Sequence, residues 1–277
     1  MAVIDAHHHL WRYTPKEFGW IDEPMAAIRR DFVAADLAAE LTHAGVDGSV
    51  AVQARQSLEE TDWLCAIASE HKAIRGVVGW APIAAPEFRA VLEELQTRQK
   101  LSGLRHVVQA EAPGFLDSDA FNAGIALLKD TRLVYDLLIF ERQLEEAIGF
   151  VDRHPRQVFV LDHIAKPRIA AGEVEPWRTH LRDLSRRPNV WCKLSGIVTE
   201  AAWPQWTYSQ ISPYLEVALE CFGAERLLAG SDWPVCLVAC TYADWWATLR
   251  TFCAQLSPSE QSAIFGDNAV QAYSLTS

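Results

Sequence analysis

The chain has no apolar run approaching the roughly 20 residues that cross a bilayer, which excludes a membrane-spanning helix. It has no excess of basic charge. Lys and Arg number 25 against 36 Asp and Glu, for a formal net charge of −11, and this argues against nucleic acid or a membrane surface as partner. No C-x-x-C pair occurs. Cys65, Cys192, Cys221, Cys236, Cys240 and Cys253 are scattered, and the Cys236/Cys240 spacing has no second pair to complete a zinc site. A chain of this size needs no disulfides, so reduced thiols in the cytoplasm are expected. Absent too are a glycine-rich phosphate loop, a Pro/Gly/Ser linker and any low-complexity segment. The first residues show no basic region followed by an apolar stretch, and read directly as a strand.

What is present is an apolar-rich globular composition, 50% hydrophobic over 277 residues, with 11 tryptophans. Two kinds of segment alternate. Short β-branched or apolar runs occur at Ala2–Ala6, Gly48–Val52, Gly76–Trp80, Gly103–Val107, Leu133–Leu137, Val158–Leu161, Val190–Leu194 and Arg226–Ala229, the pattern of parallel strands buried on both faces. Between them lie stretches of helical period. Ser57-Leu58-Glu59-Glu60 reads as a capping box ahead of Leu64, Ile67 and Ala68, and later stripes include Phe121, Ile125 and Leu128, then Trp245, Leu249 and Phe252. The first and last intervals hold extra loop. Eight βα units without a phosphate loop predict a single-domain (β/α)8 barrel over 1–277. A short helical extension is expected to run from the second capping box, Ser257-Pro258-Ser259-Glu260, to the end.

In such a barrel the active site lies where strands end, and polar residues collect there. Strand one ends in His7-His8-His9-Leu10-Trp11, strand two gives Gln53, and strand three Trp80. Strand four gives Arg105 and His106, strand five Asp136, strand six Asp162-His163 with Lys166 beyond, strand seven Lys193 and Ser195, and strand eight Asp232-Trp233. Alternate strand residues share a face, so His7 and His9 converge while His8 points away. Asp232, next door once the barrel closes, completes an open divalent-metal site with them. Adjacent residues face oppositely, so only one of Arg105 and His106 can face the mouth. His106 is preferred as catalytic, with Asp232 and His163. Asp136 reads as an acid/base or as a group orienting an imidazole. Trp11, Trp80 and Trp233 suggest walls for a sugar ring, and Gln53, Arg105 and Lys166 further substrate contacts.

Together Asp5-Ala6-His7-His8-His9-Leu10-Trp11, Gly103-Leu104-Arg105-His106, Tyr135-Asp136-Leu137, Asp162-His163-Ile164-Ala165-Lys166-Pro167 and Gly230-Ser231-Asp232-Trp233-Pro234 resemble the amidohydrolase-2 branch of the amidohydrolase superfamily. More narrowly they resemble the sugar-lactone hydrolases of the L-fuconolactonase and L-rhamnonolactonase type. The likeness runs along essentially the whole chain. It implies a TIM barrel and hydrolysis of a small sugar lactone, with His7, His9, His163 and Asp232 at the positions of the family's site residues. Two departures matter. No lysine ends strand four to be carbamylated between two metals, and Asp136 stands where many relatives carry a histidine. At most one divalent ion, zinc by preference and not essential, is therefore expected. Water would attack with Asp232 as base, while His106, His163 or the ion stabilises the oxyanion. The alternatives are a metal-dependent decarboxylase on the same scaffold, with Arg105, Lys166 or Lys193 clamping a carboxylate, and a non-catalytic sugar-binding barrel. Homo-oligomers are compatible with all three.

Overall fold

The computed structural model describes residues 2–203 and 205–275. Its strands are β1 (Ile4–His8), β2 (Gly48–Val52), β3 (Ile74–Gly79), β4 (Leu101–His106), β5 (Val134–Leu137), β6 (Phe159–Leu161), β7 (Val190–Leu194) and β8 (Leu227–Ala229). The helices are α1 (Ala34–Ala44), α2 (Leu58–Glu70), α3 (Phe88–Leu95), α4 (Asp119–Leu128), α5 (Leu144–Arg153), α6 (Trp177–Leu184), α7 (Tyr208–Phe222) and α8 (Tyr242–Cys253), then α9 (Pro258–Ser262) and α10 (Asn268–Ala272). All strands are parallel and pair in chain order. The ring closes where Asp232 N donates to His7 O at 2.8 Å and His9 N to Trp233 O at 2.6 Å, around a parallel His8–Trp233 bridge. This is the expected (β/α)8 barrel.

The first interval holds more than loop. α1 buries Ala34, Leu37 and Leu41 and ends at Gly45, whose φ of 65° is the left-handed stop that suits glycine. The Ser57 cap forms only half of the expected box. Ser57 accepts from Glu60 N, but the Glu60 carboxylate turns away and accepts from Ala54 N at 3.0 Å and Arg55 N at 2.7 Å. It thereby organises the β2–α2 loop, which lies at the barrel mouth.

The strands separate two apolar layers. Their outer faces pack against the surrounding helices. The inner layer is built from Ile4, Ala6, Val50, Val52, Val78, Val134, Val160 and Leu228, compact residues that fit a narrow lumen. The C-terminal extension closes the barrel floor with Ala269, Ala272, Tyr273 and Leu275. It starts at the expected Ser257 box, where Ser257 N donates to Glu260 Oε2 at 2.8 Å; residues 276 and 277 lie outside the described residues. Asn268 Nδ2 ties it to Ala224 O and Leu227 O, both at 2.7 Å. Tyr273 reaches up the lumen and donates its hydroxyl to Asp136, 2.9 Å from either carboxylate oxygen. Among the described residues no helix is long and apolar enough to cross a membrane.

Tyr273→Phe keeps the ring and removes a donor from a fully buried carboxylate. The expected loss is about 1–3 kcal/mol, read as a lower urea midpoint at unchanged m value. An unchanged midpoint would mean that the hydroxyl contributes nothing.

Candidate active site

The site begins with an irregularity in β1. Ile4 pairs with Gly48 and Asp5 with Ser49, but His8 pairs with Ala51, so three steps on β1 oppose two on β2. That extra residue is a β-bulge. Asp5 faces out of the barrel, Ala6 and His7 both face in, His8 faces out and His9 faces in. Asp5 is no ligand. It accepts from Ser231 N (2.8 Å), Ser231 Oγ (2.6 Å), Tyr242 OH (3.1 Å) and His7 N (3.1 Å). Burial still pushes its pKa up to about 6. The effect is to staple β1 to the loop after β8, bringing Asp232 beside the histidines.

The imidazoles of His7 and His9 converge as their spacing predicts, Nε2 to Nε2 at 3.1 Å. Asp232 Oδ1 lies 3.3 Å from His9 Nε2, 3.6 Å from His7 Nε2 and 4.0 Å from His163 Nε2. His9 Nδ1 donates to Val52 O at 2.7 Å, which leaves its Nε2 lone pair aimed at the cluster. Burial works to raise the Asp232 pKa, but His163, His9 and Lys166 outweigh it and hold the carboxyl below its usual value. Burial lowers His163 to about 4, so it is neutral at pH 7. Its Nδ1 lies 2.9 Å from Ser195 Oγ.

Beneath the cluster is a sealed charge network. Lys193 Nζ is 2.5 Å from Asp136 Oδ2, 2.9 Å from Asp162 Oδ1 and 3.1 Å from His7 Nδ1, and all four side chains are fully buried. Arg105 adds a second cation, with Nη1 2.9 Å from Asp162 Oδ2 and Nη2 donating to Gln53 O. Burial would raise Asp162, yet Lys193, His7 and Arg105 hold its pKa well below the usual range. Burial wins at Asp136, raised to about 6 against the pull of Lys193. His7 is driven well below its normal pKa, first by burial and then by Lys193.

The segment after β6 adopts an uncommon conformation. His163, Ile164, Ala165 and Lys166 have φ of 54°, 47°, 60° and 49°, and Asp232 has 57°. Each costs an L-residue on the order of 1–2 kcal/mol, and none is a glycine. Ile164 and Ala165 are fully buried, and Trp177 Nε1 holds Ile164 O at 2.7 Å, so packing imposes the turn. Gly196 is required opposite it: a Cβ there would stand 2.4 Å from His163 Nδ1 and 2.8 Å from Asp232 Oδ2.

A cavity of about 420 Å³ opens above, with His9, Arg105, His163, Lys166 and Asp232 along its lining. Arg105, not His106, is the β4 residue that faces it. His106 lies on the outer face, stacked on Phe115, with Nδ1 accepting from Trp80 Nε1 at 3.3 Å and Nε2 2.8 Å from Glu111. The preference for His106 as catalytic is corrected accordingly. The expected tryptophan walls are corrected too. Trp11 is buried with Nε1 on Arg30 O, Trp233 packs edge-on against Phe32, and Trp80 is spent on His106. None lines the cavity; Trp20 does. Gln53 braces Arg105, donating to its carbonyl at 3.3 Å, and Asp136 sits below the cavity with Lys193 and Tyr273. Sequence reasoning missed Asp5, Tyr242, Tyr273, Glu17, Trp20 and Arg55. Only Asp5 carried a signal, as the opening residue of the histidine motif.

His7, His9 and Asp232 form a buried donor set that fits one divalent ion. The His9 lone pair and the Asp232 oxygen face each other 3.3 Å apart, two acceptors that a cation between them would satisfy. A second grouping, His7, Asp162 and His163, already has two fixed cations on Asp162. Arg105 Nη1 also lies 3.5 Å from His7 Nε2. A second ion beside the first would meet that charge.

The family described as "Amidohydrolase" matches residues 4–275. A curated relative named L-fucono-1,5-lactonase, from Burkholderia multivorans, is 39% identical over 98% of this chain and 96% of its own length. Another of that name, from Burkholderia ambifaria, is 35% identical over 98% and 94%. A crystal structure of an amidohydrolase from Burkholderia multivorans with bound zinc superposes with a TM-score of 0.95 at 38% identity, covering 100% of both chains.

Lys193→Met would leave Asp136 and Asp162 facing each other without the ammonium between them. The expected destabilisation is about 3–5 kcal/mol, measured by urea unfolding at pH 7. Stability within 1 kcal/mol of wild type, on the scale of an exposed pair, would contradict the network.

Proposed function

This chain belongs to the amidohydrolase family, and on that premise we propose that it hydrolyses a sugar-derived aldonolactone, such as L-fucono-1,5-lactone, to the open hydroxy acid. The observation that carries the reading is Asp232. It is a carboxylate held ionised among three imidazoles, at the buried end of a cavity large enough for one sugar ring. The two Burkholderia lactonases, alike over almost the whole chain, support the same substrate class.

Asp232 accepts a proton from water as the oxygen attacks the lactone carbonyl. Its low basicity is offset by charge stabilisation on the other side of the reaction. Lys166, beyond hydrogen-bond reach of Glu200 Oε1 at 3.9 Å, lines the cavity and places positive charge where the carbonyl oxygen becomes an oxyanion. Collapse of the tetrahedral adduct breaks the ring C–O bond, and Asp232 returns its proton to the departing ring oxygen. The product acid then ionises. His163, neutral and tied to Ser195, and His9, tied to Val52 O, flank the carboxylate. His7, His9 and Asp232 would hold a single divalent ion, with zinc the ion their donor types favour; when bound, it acidifies coordinated water. The ion is an aid rather than a requirement, because Lys166 already supplies cationic charge at the cavity.

The decarboxylase alternative needs a free cationic clamp. Lys193 is sealed below the cavity and Arg105 is committed to Asp162, which leaves Lys166 alone, 3.9 Å from Glu200 Oε1, and the two Burkholderia lactonases favour hydrolysis over it. Dense polar groups at the strand ends speak against a purely binding role.

A pH-indicator assay on an aldonolactone panel, with and without chelator, tests the reading directly. Asp232→Asn is expected to lower kcat by about 10²–10⁴-fold, and full turnover by that variant would sink the assignment. Asp232 is ionised and His163 neutral above pH values of about 5, given pKa values respectively below normal and near 4. The kcat/KM profile of the wild type should therefore be flat from there to neutrality and fall as pH drops through about 4. An acid limb centred between pH 6 and 7 would instead report an ordinary histidine.

A further inference from the structure

The cavity has two ends of different character. Asp232, His163 and Arg105 are at most 4% exposed, whereas Trp20 is 43% exposed and Glu17 is exposed as well. Trp20, Glu17 and Arg55 therefore form its rim. Trp20 is an uncovered aromatic face held in place rather than left loose. Trp11 braces it edge-on, with ring centres 5.8 Å apart at 89°, and is itself fixed by Nε1 on Arg30 O at 2.9 Å.

Beside it, Arg55 Nη1 is paired with Glu17. Thr14 Oγ1 steadies the Glu17 carboxylate at 3.0 Å, and Glu60 approaches the guanidinium from below at 3.6 Å. Of the Arg and Lys among the described cavity-lining residues, Arg55 is committed to Glu17 and Arg105 to Asp162, which leaves Lys166, 3.9 Å from Glu200, as the cation without a hydrogen-bonded carboxylate.

We propose that Trp20 and the Glu17–Arg55 pair determine specificity, admitting a neutral polyhydroxy lactone and rejecting one that bears a free carboxylate. The inference rests on the lactone-hydrolase reading and narrows its substrate class. An ion pair side by side offers an acceptor next to a donor, and a diol supplies both in return. A carboxylate is acceptor-only. It could use Arg55 only by displacing Glu17, and its charge is repelled by that group. The C–H face of a sugar ring, meanwhile, lies against Trp20, an apolar surface that would otherwise stay in contact with water.

The test compares kcat/KM on a neutral aldonolactone and on muconolactone, a lactone with a free carboxylate, for wild type, Glu17→Gln and Trp20→Ala. Wild type should favour the neutral substrate. Glu17→Gln, which keeps the side-chain shape and releases Arg55, should shift the ratio about tenfold toward muconolactone, mainly through KM. Trp20→Ala should raise KM for the aldonolactone about tenfold with kcat little changed. Comparable wild-type turnover of both substrates, or a ratio unmoved by Glu17→Gln, overturns this inference while leaving the hydrolase reading intact. A wild-type chain that opens no lactone overturns both.

Discussion

Lys193 is the constraint around which the lumen is organised. Two carboxylates, Asp136 and Asp162, flank its ammonium at 2.5 and 2.9 Å, and His7 Nδ1 lies 3.1 Å from the ammonium and 3.3 Å from Asp162 Oδ1. Burying an ion is costly unless it is paired, and the groups of this cluster come from four strands of the barrel. β5 supplies Asp136, the end of β6 supplies Asp162, β1 supplies His7, and Lys193 itself rises from β7. Tyr273 fixes Asp136 from the floor and Arg105 fixes Asp162 from the β4 side. The orientation of the His7 ring is therefore set by packing and charge well away from solvent. The reacting end inherits its rigidity from this layer.

Above it the molecule stores strain instead of relieving it. Four successive left-handed residues after β6, and Asp232 after β8, place His163, Lys166 and Asp232 toward one cavity. Such backbone persists only where surroundings over-determine it. The Trp177 bond to Ile164 O, the buried Ile164 and Ala165 side chains, and the bare Gly196 opposite provide that determination.

The barrel was largely legible in the sequence, because eight apolar runs and the helical stripes between them are local periodic signals. Their ends shifted by no more than two residues. α1 escaped notice because its buried side chains include a small Ala34 within an alanine-rich segment. At the site, His7, His9, His163 and Asp232 could be assembled by counting strands. Parity alone could not choose between Arg105 and His106, since neighbours on β4 are both polar and only the tertiary partners decide. The rim was illegible for a different reason. Glu17, Trp20 and Arg55 lie in loops, where no period links them, and the pairing of Glu17 with Arg55 spans 38 positions. The tryptophans nearest the motifs turned out to serve the packing, while the one that borders the cavity stands apart from every motif.

The bulge in β1 makes catalysis a matter of counting. Without that bulge, Asp5-Ala6-His7-His8-His9 would run in plain alternation from Asp5. The imidazole now at position 8, buried with neither nitrogen bonded, would then compete for the inward direction that position 7 holds. Three consecutive histidines mask such a slip, because the altered chain would still read as histidine-rich at the strand end. Chains that share the motif's letters can therefore differ in which rings meet the carboxylate. The spacing from Asp5, whose place is pinned by Ser231 and Tyr242, is a better marker of a working centre than the histidines themselves.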